Sequence, residues 1–296
     1  MKAEYVFDAI GTKWIISAEI PPGTDDKKLK RDILDRIDIF DKNYSRFRND
    51  SLVSEISRKS GAYTLPEDAK SMLSLYEELY KITKGAFTPL IGQTLSDAGY
   101  DAEYSFKPGE IKTPPKWEEV IKYEHPTLTT TAPVLLDFGA AGKGYLVDIV
   151  SELLLKQGVE SFVVNAGGDI RVHENKENLN AGKKVQIGLE HPEDLTLAVG
   201  VASIVNKSIC GSAGNRRMWD KYHHIIDPHT LNSPREISAA WVVADTAMLA
   251  DGLTTCLYFL SPEELSKHYQ FEYMIIYSDN SMKLSESFPA ELFLKN

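Results

Sequence analysis

Apolar positions recur along this chain in short runs of period two and longer runs of period 3.6, and the change of rhythm marks out the elements. Residues 5–10 and 14–20 predict two strands joined by a tight Gly11-Thr12 connection, and Pro21-Pro22 ends the second. Leu29, Ile33, Ile37 and Phe40 fall at helical spacing with charges on the other face, predicting an amphipathic helix. Residues 41–57 lose that rhythm and read as a long polar loop around Tyr44-Ser45-Arg46-Phe47-Arg48. A second helix is predicted over residues 66–83, with Met72, Leu75, Tyr76, Leu79 and Tyr80 apolar, until Gly85-Ala86-Phe87-Thr88-Pro89 breaks the pattern. Residues 92–115 carry Gly99, Pro108, Gly109, Pro114 and Pro115 and little periodicity, reading as an insertion or a lid.

Strand-like runs follow at residues 120–123, 127–131 and 134–138. A helix over 144–157 stops at Gly158, and a strand runs through 162–165. Residues 184–189 and 197–205 read as a hairpin. Strands at 223–226 and 239–243 lead into an apolar, helix-like run that holds Asp251. Ser261-Pro262-Glu263-Glu264 starts another helix, with a capping hydroxyl, Pro in the first turn and acids near the dipole. Residues 271–277 close as a strand. No repeat or low-complexity tract interrupts the chain. Helices and strands mix without strict βαβ alternation, so the fold class is α+β rather than a Rossmann-type sheet.

The 296 residues are 43% hydrophobic and 26% charged, enough chain for one large domain or two small ones. A net charge of −10 argues against nonspecific nucleic-acid binding, which needs a basic surface, but permits a local site for a small anion. Cys210 and Cys256 form no paired motif and read as packed free thiols. The N-terminal residues lack the apolar core of a secretion signal, and no apolar run approaches a membrane span. As written the chain reads as cytoplasmic, or as an extracytoplasmic protein whose leader or lipoprotein signal has been removed.

Chemistry enters with Val243-Ala244-Asp245-Thr246-Ala247-Met248-Leu249-Ala250-Asp251-Gly252-Leu253-Thr254-Thr255. Asp251 and Thr255, four residues apart, share one helical face, and both are hard oxygen donors of the kind that suits Mg²⁺. A charge among Ala, Leu and Met needs a partner, and a metal ion is one; an Asp near a helix N-terminus is also commonly a solvated, dipole-favoured residue. Asp137-Phe138-Gly139-Ala140-Ala141-Gly142-Lys143-Gly144-Tyr145 joins a strand to a helix. Its small residues let a ligand approach the backbone, its free N–H groups face a phosphate, and Lys143 adds a cation. The segment equally fits a Gly-rich turn with a solvated lysine. It is not a Walker A loop, since Gly144 stands where Ser or Thr is required, and the companion signatures of a kinase Asp-Phe-Gly are missing. Asn165-Ala166-Gly167-Gly168-Asp169-Ile170 ends a buried strand, and its paired glycines read as a tight turn held against a ligand or against neighbouring backbone. In His223-His224-Ile225-Ile226-Asp227-Pro228 the adjacent histidines point to opposite faces, so at most one serves a given site, contacting phosphate or relaying a proton. Ser212-Ala213-Gly214-Asn215-Arg216-Arg217 supplies two arginines, solvated or recognising an anion.

In this order, the segments resemble the ApbE family, the FAD:protein FMN transferases. The matching pieces are Ala9-Ile10-Gly11-Thr12-Lys13-Trp14; Tyr44 through Arg48 with Asp50-Ser51; Gly85 through Pro89; Asp137 through Asp148; Asn165 through Ile170; Ser208 through Trp219; His223 through Pro228; and Ala247 through Thr255. The resemblance implies a single ApbE-like, T-fold-related α+β domain over residues 1–296, with FAD gripped in a cleft. It further implies Mg²⁺-dependent transfer of FMN from FAD to a Thr or Ser hydroxyl of an acceptor flavoprotein, with release of AMP. Metal-dependent FAD hydrolysis to FMN and AMP, and an FAD-holding module without catalysis, are the rival expectations. By resemblance, Asp251 and Thr255 would ligate the metal through side chains and Ala140 through its carbonyl. Ile10, Ala86, Phe87, Thr88, Asp137 and Lys143 would contact FAD, and His224 would sit near the phosphates, with His224 or Asp251 as candidate base. The chain departs from the family pattern at Ile10 (usually Met), Thr88 (often Asp), Leu231 (commonly Gly) and Cys210-Gly211-Ser212-Ala213 (in place of Thr-Ser-Gly).

Overall fold

The computed structural model describes residues 1–214 and 218–293. The Asn215-Arg216-Arg217 part of the arginine motif lies outside the described residues. Strands β1 (Lys2–Ala9) and β2 (Thr12–Glu19) form the N-terminal hairpin. Ala9 pairs with Thr12, so the turn is Ile10-Gly11, one residue earlier than the sequence suggested. Both turn residues are left-handed, with φ of 45° and 71°, as a two-residue turn matched to strand twist requires. For β-branched Ile10 that conformation is unusual.

Helix α1 (Asp26–Tyr44) is capped by the Asp25 carboxylate, which accepts the Lys28 N–H, and buries Leu29, Ile33, Ile37 and Phe40 as expected. It runs one turn beyond expectation because Tyr44 extends the buried stripe past the polar Asp41-Lys42-Asn43. With α2 (Leu52–Ile56), capped by Ser51, the anticipated long loop shrinks to residues 45–51. The chain continues through β3 (Gly61–Thr64), α3 (Ala69–Ile82), α4 (Gly92–Asp97), α5 (Trp117–Val120), β4 (Ile121–Glu124) and β5 (Thr127–Thr130). Helix α4 gives residues 92–97 regular structure that their composition hid, while 98–115 are irregular. Residues 134–138 alternate in burial as a strand would but join no ladder. Their backbone makes single bonds, Val134 N–H to the Ile56 carbonyl (3.4 Å) and Asp137 N–H to that of Pro89 (2.7 Å).

The second half holds α6 (Gly142–Lys156), β6 (Phe162–Ala166), β7 (Asp169–His173), α7 (Lys176–Asn180), β8 (Val185–Glu190), β9 (Ala198–Ile204) and β10 (Ser208–Ala213). It ends with β11 (Met218–Trp219), β12 (Tyr222–His223), β13 (Ile237–Ala244), α8 (Ala247–Cys256), α9 (Pro262–Leu265), β14 (Glu272–Tyr277), β15 (Met282–Leu284) and β16 (Ala290–Leu292). The strand expected at 223–226 contracts to β12. There the Ser233 hydroxyl takes the His223 N–H (2.9 Å) and donates to the His223 carbonyl (3.1 Å), in place of a continuing ladder.

Among the described residues the main sheet runs β1-β2-β6-β7-β10-β13-β14-β15, and every neighbouring pair is antiparallel. The α+β expectation holds. Period-two alternation gives the sheet two unlike faces. On β13, Ala240, Val242 and Ala244 face the layer of α1, α3, α6 and α8, while Ala239, Trp241 and Val243 face a second apolar cluster. The three-stranded sheet β16-β9-β8 covers that second cluster. Cys210 and Cys256 are buried free thiols, as read from the sequence. Among the described residues no helix is long and apolar enough to cross a membrane.

Candidate functional site

On the helical face, α6 and α8 approach until their backbones nearly touch. A Cβ on Gly144 would lie 2.2 Å from the Ala247 carbonyl oxygen and 2.7 Å from the Asp251 Cβ, so only glycine permits the crossing. The two helices also cap one another. Asp148 of α6 accepts the Ala247 and Met248 N–H groups at the start of α8, both at 2.8 Å, and Thr246 accepts the Leu249 N–H. Burial pushes the Asp148 carboxyl up to about 6 against those bonds. Asp251, one turn on, accepts the Gly144 N–H at 2.9 Å. Burial raises its pKa, and the Lys143 charge pulls it back.

A cavity of about 210 Å³ opens where this crossing meets the turn carrying Ala140. Asp251, Thr255, Ala140, Asp137, Lys143 and His224 all line it, as do Ala86, Phe87 and Thr88. The separate segments singled out by sequence therefore converge. Ile10 is the exception: it lines a neighbouring cleft of about 330 Å³ that shares Asp137, Gly139 and Lys143 with the cavity. Phe87 is 1% exposed, with its ring packed against Tyr76 at 4.9 Å. The Thr88 hydroxyl accepts the Leu90 N–H, capping a one-turn 3₁₀ helix at Pro89–Ile91. The adjacent histidines divide as expected: His224 faces the cavity, whereas the His223 Nε2 meets the Pro234 carbonyl (2.8 Å) and burial lowers its pKa.

Two charged residues lie in segments that the sequence singles out, but their pairing is visible only in the fold. Asp137 is bound by Arg46, whose Nε lies 2.5 Å from Oδ2, while its Oδ1 takes the Gly139 N–H at 2.7 Å. The Arg46 guanidinium sits over the rings of Phe47 (4.2 Å) and Tyr100 (4.9 Å). Lys143 forms an ion pair with Asp169, whose side chain is 1% exposed. Strand alternation could have found Asp169: Ile170 and Val172 face the opposite cluster, which turns Asp169 toward the helices. Gly167 and Thr12 form another wall, where a Cβ on Gly167 would lie 2.0 Å from the Thr12 hydroxyl oxygen. At Leu231, standing where the resemblance expects Gly, φ is 57°, the left-handed conformation that explains the glycine.

Among the described residues no three His, Cys, Asp or Glu side chains gather as a metal site. The oxygen-bearing side chains lining the cavity include the buried Asp251 carboxylate and the Thr255 hydroxyl one turn on, with Ala140 of the adjoining turn beside them. That donor set suits a hard divalent cation and offers nothing to a soft one. An ion here would also compensate the carboxylate charge that burial disfavours.

Comparison with known proteins gives the family. The family model described as "ApbE family" matches residues 10–275. The FAD:protein FMN transferase of Haemophilus influenzae is 27% identical over 270 residues, covering 82% of this chain and 77% of its own. That of Escherichia coli is 25% identical over 294 residues, covering 90% and 81%. In structure, the flavin transferase ApbE of Vibrio cholerae matches with a TM-score of 0.79 at 23% identity, covering 97% of this chain and 98% of its own. The ApbE protein of Thermotoga maritima matches with a TM-score of 0.82 at 21% identity, covering 98% and 100%. These structural likenesses carry the fold.

Proposed function

The chain belongs to the ApbE family, and from that premise we propose that it is an FAD:protein FMN transferase. It would move FMN from FAD to a Thr or Ser hydroxyl of an acceptor flavoprotein, with Mg²⁺ as cofactor and AMP as the second product. The supporting observation is the meeting of Asp251 and Thr255 with the Ala140 turn on one cavity. All of residues 1–296 would act as one ApbE-like unit, with residues 92–115 as an insertion beside the cleft.

Asp251, Thr255 and the Ala140 carbonyl would hold the ion. Bound there, Mg²⁺ would polarise a bridging phosphate oxygen and offset charge building on the pyrophosphate. Lys143, steadied by Asp169, would place a second positive charge against the same oxygens. Asp137, fixed by Arg46, would orient FAD, with Ala86, Phe87 and Thr88 along one wall and Ile10 at the neighbouring cleft. Because the Phe87 ring is buried, that residue would meet FAD through its edge or backbone. The acceptor hydroxyl would attack the FMN phosphorus roughly in line with the departing AMP oxygen. One P–O bond forms as the other breaks. His224 or a carboxylate beside the metal would take the hydroxyl proton.

Incubation with FAD, MgCl₂ and a flavoprotein domain, followed by in-gel flavin fluorescence, tests the reading. The expected result is a fluorescent acceptor band that EDTA abolishes. Absence of that band, with an acceptor labelled in parallel by a characterised family transferase, would contradict it. Free FMN and AMP formed as fast without acceptor would identify a hydrolase instead.

A further inference from the structure

Cys210-Gly211-Ser212-Ala213, where the chain departs from the family pattern, is the end of strand β10, and the function proposed above gives it no task. Side chains alternate along the strand. Ile209 and Ala213 pack in the cluster behind the sheet, whereas Cys210 packs into the helical layer, so Ser212 turns to the front with it. There Ser212 lines the cavity, and its Oγ lies 2.9 Å from the Thr254 hydroxyl of α8. The direction of that bond is fixed by the next one. Thr254 donates its single hydroxyl proton to the Asp251 carbonyl at 2.7 Å, and a carbonyl has no proton to give. Thr254 therefore accepts from Ser212, and the Ser212 proton is committed to the helix. What Ser212 keeps for the cavity is acceptor capacity. Tyr258 donates to the Ser212 backbone carbonyl at 3.2 Å, which holds the strand against α8 at this point.

A hydroxyl that can only accept selects what lies beside it. Ionised pyrophosphate oxygens carry no proton, and their charge would meet its lone pairs with repulsion. The acceptor protein's hydroxyl has one proton, which the proposed transfer gives to a base. The donors that flank the two phosphates are the sugar hydroxyls of FAD, on the ribityl chain to one side and on the ribose to the other. We propose that Ser212 is a substrate-binding residue that accepts a hydrogen bond from a sugar hydroxyl of FAD. Thr254, fully buried behind it, is the positioning residue that sets the direction of that bond. The inference rests on the FAD reading above and deepens it, giving the departing segment a part in substrate selection.

The test compares FAD with deoxy analogues that each lack one hydroxyl, from the ribityl chain or from the ribose. Binding to the full chain is read by flavin fluorescence at constant Mg²⁺. Wild type is expected to bind one analogue about tenfold more weakly than FAD, and the identity of that analogue assigns the bond to the ribityl or the ribose side. Ser212→Ala should bind FAD about tenfold more weakly and treat that analogue and FAD alike. Thr254→Val frees the Ser212 proton to turn into the cavity, so it should lose most of the discrimination. Thr254→Ser, which keeps the hydroxyl, should restore it. Discrimination unchanged in Ser212→Ala, or absent from wild type, overturns the assignment. So does a Ser212→Ala protein whose FAD affinity is intact while its affinity for MgCl₂ alone, or its KM for the acceptor domain, is altered. Discrimination unchanged in Thr254→Val overturns the direction-setting role. A wild type that binds no FAD overturns the inference together with the reading beneath it.

Discussion

The two faces of the eight-stranded sheet are built to different rules. Behind it, Ile170, Val172, Ile209, Trp241 and Met274 pack against β8, β9 and β16. In front, the core gives way at the α6–α8 crossing to Asp148, Asp251, Lys143 and Asp169, with Gly144 where a side chain would not fit. One face stabilises the fold by burying hydrocarbon. The other spends part of that stability on burying charge, as a site that must receive an anion and a cation would require.

The sharpest way to break this contrast is to remove the buried carboxylate. Asp251→Asn should reduce flavin transfer by at least about 100-fold through loss of the metal ligand. In the metal-free protein the same change should raise Tm, because the charge that burial disfavours is gone. Activity assays and thermal melts on one preparation check both, and a variant that is both active and less stable would erase the distinction between the faces. Next, Lys143→Met should lower kcat/KM for FAD by about 100-fold, the scale of losing one preorganised electrostatic partner. Asp169→Asn should lower it less, since the lysine stays but loses its anchor.

Two packing changes then sharpen the comparison. Gly144→Ala in front and Ile209→Ala behind should each cost about 3 kcal/mol in denaturant unfolding, one by overpacking and one by a cavity. Only Gly144→Ala should also lower activity per folded molecule, because it pushes α6 from α8. Smallest is a pH effect. Asp148 has a folded pKa raised to about 6, so the native state holds a proton that the unfolded chain has lost. Its contribution is therefore full below the unfolded value and declines as pH rises from about 4 to 6, by at most about 1.4 kcal/mol per unit. Subtracting the pH–stability curve of Asp148→Asn from that of wild type should reveal that downward slope; a flat difference would contradict it.

Much of the front layer was legible because its helices show a solvent-facing side: α1 and α3 carry their buried residues at helical spacing. Strands made of small residues were not. β10, Ser208–Ala213, lies in the middle of the main sheet, yet Gly211 and Ser212 give it no alternation to read. At 134–138 the alternation was real but reported burial alone, since a strand also needs a neighbour to bond with. The site shows the same division. Asp251 and Thr255 are four residues apart on one helix, so local spacing brings them together. Arg46 and Asp137 are 91 residues apart, and their pairing is a property of the fold that no local spacing encodes. The left-handed φ at Leu231 was foreshadowed by the glycine common in the family.

The proposal as a whole turns on where a divalent ion sits. Anomalous diffraction from a crystal soaked with Mn²⁺ and FAD would locate it. The account predicts one strong peak bonded to the Asp251 carboxylate, the Thr255 hydroxyl and the Ala140 carbonyl, next to the pyrophosphate. A soaked crystal with FAD bound and no peak between α8 and the Ala140 turn would contradict it.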